Sequence, residues 1–323
     1  MNRRRFLQLS GAAAAAPALS STAGAQAYPT RTVHLIVGFP AGGGTDAVAR
    51  LMGQSLSQRL GQPIVIDNRP GANTNLATEA VVKAAPDGHT LLLVGSPQAV
   101  NATLYDKPTV NVVSDIAPVA SVARGTYVMV VNSSFPAKTV PELIAYAKAN
   151  PGKINMASAG AGNPTHLAGE LFQMMSGITM LHVPYRGDAP ALTDLLGGQV
   201  QLYFSTEGGA IEHIRAGKLR ALAVTAAKRS EAMPDIPTVA EFIPSYEASG
   251  FWGIGAPKNT PAEIIETLNK GINASLSDPS LKARFSELGI TAFPLSTAEF
   301  RQFIAAETDK WGKVVKFSGA KSG

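Results

Sequence analysis

Cysteine is absent from this 323-residue chain. Disulfides, thiolate metal sites and cysteine nucleophiles are therefore excluded. The five histidines are far apart and show no metal-ligand spacing, so no metal is expected. Neither the ordered glycine fingerprint of a dinucleotide site nor the lysine of a P-loop is present, so no cofactor is expected. Basic residues are scattered without an aromatic-basic stripe, which argues against nucleic acid as a partner. Charged residues make up only 16%, unlike a disordered chain. Beyond residue 27 no apolar run is long enough to span a bilayer.

What is present is apolar. Hydrophobic residues are 45% of the chain, and the length suits two lobes, each with its own core. The first 27 residues form a separate unit. Arg3-Arg4-Arg5 and Phe6-Leu7 precede a moderately apolar run to Leu19, and Ala25-Gln26-Ala27 fits small-residue cleavage. The pattern reads as a twin-arginine export signal cleaved after Ala27. A Sec leader is the alternative, because three arginines suit its n-region too. Either route takes the chain from Tyr28 onward to the periplasm. Removing the leader removes three arginines and no acids, so most of the formal charge of +5 belongs to it.

The organising stretch is Val33 to Asp46. An apolar run, Val33 to Val37, ends in Gly42-Gly43-Gly44, then Thr45-Asp46 opens a helix with Val48, Leu51, Met52, Leu56 and Leu60 on one face. Unpaired N–H groups at such a helix start, carrying its positive dipole end, make a seat for an anion. A bare N-cap with a flexible entry loop reads equally well from these residues. Two more strand–loop–helix units follow, with loops at Gly71 to Asn75 and from Ser96. Repeated units of this kind predict a parallel α/β sheet whose loops gather on one rim.

From Asp115 to Val131 two apolar stretches follow each other with no helix between, a passage into a second lobe. There a strand ends in Ala159-Gly-Ala-Gly-Asn163, and Pro164 takes a first helical position. Thr139 to Glu142 and Thr260 to Glu263 read as capping boxes. Phe251 to Ala256 looks like the return crossing. The fold class is α/β, two lobes joined by two crossing strands as the hinge of a binding protein. Lobe 1 is expected at 28–124 plus 247–323, and lobe 2 at 125–246.

Six motifs in order resemble the Bug, or TctC-like, family. They are Leu35 to Asp46, Val65 to Ala72, Ala84 to Leu91, Pro164 to Glu170, Val183 to Gly187 and Gly217 to Thr225. Members are extracytoplasmic solute receptors of tripartite tricarboxylate transporters. The resemblance implies a two-lobed periplasmic binding protein fold, type II-like, and a non-catalytic receptor for a small carboxylate, with the transporter's membrane subunits as partners and a monomeric state. It places Phe39, Gly42, Gly43, Thr45 and Asp46 at the first loop, Asn73 and Thr74 at the second, and Ser96 at the third. In lobe 2 it places Ser158, Gly160, Thr165, His166 and Tyr185 at the ligand. Ser205 and Gln201 stand where the family usually has aspartate. In relatives an acid at the first of these positions can pair with an amino or hydroxyl group. Ser205 cannot, so the expected ligand is a carboxylate with an uncharged distal part, aromatic or dicarboxylic acids included.

Two other classes fit less of the sequence. A receptor of this kind could serve a signalling membrane protein instead of a transporter. A serine hydrolase would use Ser158 in Met156-Ala-Ser-Ala-Gly160 with His182 or His213 and Asp188 or Asp194. That motif lacks the first glycine of a nucleophile elbow.

Overall fold

In the computed structural model, residues 28–106 and 108–320 are described. The leader and its cleavage point lie outside the described residues. In chain order the elements are β1 (Val33–Val37), α1 (Gly44–Leu60), β2 (Ile64–Asn68), α2 (Asn75–Val82), β3 (Thr90–Gly95), α3 (Ser96–Leu104), the short α4 (Val112–Asp115) and β4 (Ile116–Asn132). Next come α5 (Val140–Ala149), β5 (Asn155–Ser158), α6 (Pro164–Ser176), β6 (Leu181–Pro184), α7 (Asp188–Leu196), β7 (Leu202–Thr206), α8 (Glu207–Arg215) and β8 (Leu219–Val224). The chain closes with β9 (Ser249–Pro257), α9 (Ala262–Leu276), α10 (Pro279–Glu287), β10 (Ile290–Ala292) and α11 (Thr297–Ser318).

The strands form two sheets that share β4. In the first, β1 lies between β2 and β3 and parallel to both. There β9 runs antiparallel to β3 and to the Ile116–Thr126 part of β4, and β10 pairs with β4 at Ala123 to Gly125. In the second sheet the rest of β4 pairs antiparallel with β7 and β8, and β5 lies parallel between β6 and β7. The apparent passage from Asp115 to Val131 is thus one strand of 17 residues. It is buried along most of its length, which explains its near-continuous apolar sequence. The return crossing is β9. Two lobes joined by two antiparallel strands are the α/β binding-protein architecture read from the sequence.

Local signals account for most boundaries. Asn163 accepts from the Thr165 N–H at 3.0 Å to start α6, and Gly61 ends α1 at φ 71°. Two boundaries differ from expectation. The segment from Ser96 is not a loop but the start of α3; the Gln98 side chain accepts from the Gly95 N–H at 2.9 Å and closes the turn directly onto β3. Thr260 does not cap α9: its hydroxyl donates to Pro257 O at 2.8 Å, and Pro261 occupies the cap position.

One core lies under α1, α9 and α10 around Leu35, Met52, Ile254 and Phe285. Another fills lobe 2 around Tyr203, Val128 and Leu195. The largest spans both lobes, from Val94 and Leu104 to Phe172 and Phe204, with Phe300, Ile304 and Trp311 of α11 in its middle. The C-terminal helix therefore locks the back of the hinge. The close fit needs glycine at Gly253, where a Cβ would come within 2.2 Å of Phe300 Cζ and 2.9 Å of Ala120 O. Gly253→Ala should destabilise the protein by about 1–3 kcal/mol through overpacking. Urea unfolding with an unchanged midpoint would show that α11 is not tightly seated on β9.

Candidate functional site

Between the lobes lies a cleft of about 160 Å³. Lobe 1 contributes Phe39, Thr45 and Ser96 to Gln98, and lobe 2 contributes Ala159, Asn163 to Thr165, Asp188 and Thr206. The crossing strands supply Tyr127, Gly250, Phe251 and Trp252 as its floor. In α/β sheets, helices begin where parallel strands end, and that rule is visible here on both sides. Thr45 is in the first turn of α1, Ser96 to Gln98 open α3, Pro164 and Thr165 open α6, Asp188 opens α7, and Thr206 caps α8. Five helix N-termini thus converge on one small space. Each brings the positive end of its helix dipole, although at α6 Pro164 has no N–H and the Thr165 N–H is capped by Asn163. Among the described residues no lysine, arginine or histidine lines the cleft; what favours an anion there is the backbone of the helix starts, set against the carboxylate of Asp188.

The first loop keeps its donors available. Gly43 sits at the N-cap of α1 with no side chain to cap the first turn, so those N–H groups remain for a guest. The indole N–H of Trp252 donates to Thr45 Oγ1 at 3.1 Å, and the Phe251 N–H donates to Ser96 Oγ at 3.2 Å. Both hydroxyls act as acceptors towards the floor, which leaves their protons to point at a ligand. Asp46 is turned the other way. It is buried and accepts from the Gly42 N–H at 2.9 Å, Arg50 Nε at 2.8 Å and the Asn68 amide at 3.0 Å. Its bond to Arg50, helped by the Gly42 and Asn68 donors against the opposing effect of burial, lowers its pKa to about 2. The carboxylate holds the loop in shape and does not line the cleft.

The second loop is already satisfied. Ala159 N–H donates to Thr165 Oγ1 at 2.9 Å, Gly160 N–H to Ser158 Oγ at 3.2 Å, Gly162 N–H to His166 Nδ1 at 3.1 Å, and Asn163 N–H to Gly160 O at 3.1 Å. It forms a stiff wall instead of a matching anion seat. His166 is buried behind it, stacked on His182 at 3.6 Å and 3.3 Å from Glu170. Tyr185 faces the core of lobe 2 and donates to Asp194 at 2.7 Å; burial first, and Asp194 second, push its pKa up to about 12.

Of the residues expected at the ligand, Phe39, Thr45, Ser96 and Thr165 line the cleft. Gly42 and Gly43 lie exposed on the same first loop. Asn73 is tied to Asn101 at 2.7 Å, and Thr74 packs under Gly38. Ser158 and Gly160 support the second loop from behind. Ser205 is fully buried in β7, its hydroxyl donating to Thr206 O at 3.1 Å. It therefore says nothing about charge in the cleft, and the argument for an uncharged distal part loses its premise. Asp188 brings a carboxylate to that wall, held by the Tyr203 hydroxyl. Gln98, Tyr127, Asn163, Thr206 and Trp252 also line the cleft and are not among the residues expected at the ligand. Only the capping position of Asn163 carried a local signal.

Ser158 and His182 do meet, at 2.6 Å. The serine has no exposed surface, so a substrate carbonyl does not reach its hydroxyl. His182 is not among the residues lining the cleft. The pair stiffens the strand ends β5 and β6.

An interlobe cleft of this make-up defines a two-lobed solute-binding receptor. Residues 48–320 match the Tripartite tricarboxylate transporter family receptor model, and the chain belongs to that family. It is 39% identical over 324 residues to Protein BugT of Bordetella pertussis, covering 99% of both chains. Among solved structures, "R. palustris Rpa4515 with adipate" shares 36% identity with a TM-score of 0.78, covering 91% of this chain and 99% of that one. MatC from Rhodopseudomonas palustris with bound malate shares 31% with a TM-score of 0.75, covering 89% and 100%.

The half-buried His182 sets an acid limit. Burial first, and the neighbouring His166 second, lower the pKa of His182 to about 4, below the ordinary value near 6.5. The neutral ring is the form the fold accommodates. Its contribution to stability is complete above about 6.5 and is lost as pH falls through about 4. The melting temperature should therefore drop more steeply between those pH values in the wild type than in His182→Gln. Parallel slopes in scanning calorimetry would assign the acid sensitivity elsewhere.

Proposed function

We propose that the protein captures a small carboxylate between its lobes in the periplasm and delivers it to the membrane subunits of a tripartite tricarboxylate transporter. The observation that carries this reading is the convergence of five helix N-termini on a cleft without basic side chains. Such a site favours an anion through fixed dipoles and N–H donors, and holds it without a competing salt bridge. The relatives solved with adipate and malate support the ligand class. No catalysis is proposed, and the protein works as a monomer.

The lobes are assigned as 28–124 plus 247–323 and 125–246, and a twin-arginine leader ending at Ala27 accounts for export. Within the first loop, Gly42, Gly43 and Thr45 make the carboxylate seat, with Phe39 and Ser96 beside it. Thr165 faces them from the other lobe. Asp46, Asn73, Thr74, Ser158, Gly160, His166, Tyr185 and Ser205 act by shaping the walls. Closure of the lobes buries the ligand, and the differential affinity for the closed form drives the change.

A ligand at a hundredfold its Kd should stabilise the fold by about 2.7 kcal/mol, visible as a rise in melting temperature. A screen of mono- and dicarboxylates in which no acid raises it would overturn the reading. Gly43 has φ −86°, and a Cβ there meets nothing closer than Pro40 O at 3.9 Å. Gly43→Val should therefore fold normally yet lose binding, because the side chain fills the seat. Unchanged affinity by calorimetry would remove this loop from the site.

A further inference from the structure

Among the described residues Asp188 is the only charged side chain lining the cleft, and none of them places a cationic partner there. Its one hydrogen-bond donor among the described residues is the Tyr203 hydroxyl, which binds Oδ1. Oδ2 is left without a donor. The same cleft is lined by Tyr127 of β4, Thr165 of α6 and Thr206 before α8. Asp188 is half-buried in the present cleft, and lobe closure would strip water from it further. A carboxylate desolvated without a donor is strongly disfavoured. A second carboxylate brought near it adds like-charge repulsion.

A guest that brings its own hydrogen-bond donor removes the first cost, and an ammonium group offsets the second as well. A hydroxyl or ammonium group facing lobe 2 would satisfy Oδ2 while the guest's carboxylate rests on the N-terminus of α1 in lobe 1. The small volume of about 160 Å³ keeps acid and donor within a few bonds of each other. The aromatic faces of Phe39 and Trp252 are compatible with an ammonium as well as with a hydroxyl.

We propose that Asp188 sets ligand choice, selecting carboxylates that carry a hydroxyl or ammonium group over otherwise identical plain acids. This rests on the reading of the cleft as a carboxylate site, and it replaces the expectation of an uncharged distal part.

The test is isothermal titration of the purified protein with two matched sets: succinate, malate and aspartate, and propionate, lactate and alanine. The wild type should bind a hydroxy or amino member at least roughly tenfold more tightly than its plain counterpart, the scale of one unsatisfied buried acceptor. Which member wins separates hydroxyl from ammonium recognition. Asp188→Asn keeps an oxygen for the Tyr203 hydroxyl and removes the charge. It should collapse the preference to within about threefold, with the plain acids gaining affinity. Equal wild-type affinity for plain and donor-bearing acids would overturn the proposal while leaving the carboxylate reading intact, and that comparison stands even if the variant fails to fold. A preference that persists unchanged in folded Asp188→Asn would also overturn it. No binding by any acid would overturn the carboxylate reading, and this proposal with it.

Discussion

Continuity of β4 through both sheets is the constraint on which the rest of the molecule hangs. Residues Ile116–Thr126 are hydrogen-bonded to β9 in lobe 1, and Tyr127–Asn132 to β7 and β8 in lobe 2. One strand hydrogen-bonded into both sheets ties them together and makes them face each other across its length. The rim loops of both sheets then open into one gap. Helices that follow those strands bring their N-terminal ends there as a consequence of chain direction. The site's electrostatics come from topology before any side chain is considered. That is why a cleft suited to an anion needs no arginine.

The two glycine loops look alike in sequence and do different work. At Gly42 to Thr45 the helix start lacks a capping side chain, and Thr45 lines the cleft. At Ala159 to Asn163 nearly every donor is matched by Ser158, Thr165, His166 or a backbone oxygen. One helix start is left uncapped, and the other loop is satisfied largely within itself. The difference lies in the side chains that follow: Thr165 and His166 reach back into their own loop, whereas Thr45 is drawn to Trp252 of the floor.

Much of the scaffold was legible in the chain itself. Apolar runs ending in glycine turns, prolines at helix starts and the alternation of strand with helix specify local structure through short-range sterics and hydrogen bonding. Ser96 was misjudged because Ser-Pro is ambiguous: it suits a loop and also a helix N-terminus, and the Gln98 bond to Gly95 decides between them. Thr260 failed as a cap because the Pro257 carbonyl offers its hydroxyl a nearer partner. Each error sits at a boundary where two local solutions are close in energy.

Ligand-facing residues were harder to read, for a physical reason. His166, Asp46 and Tyr185 carry functional chemistry, yet each finds partners within its own lobe. Tyr127, Trp252 and Asp188 belong to three distant segments, and only the crossing of β4 with β9 and the placing of α7 bring them to one cleft. By itself the sequence determined the α/β alternation, the strand–glycine loop–helix unit at the first loop and the family. The tertiary structure alone decided which polar side chains face the gap and which face inward. Local sterics and capping act over a few residues, whereas orientation towards a cleft depends on packing between segments far apart in the chain.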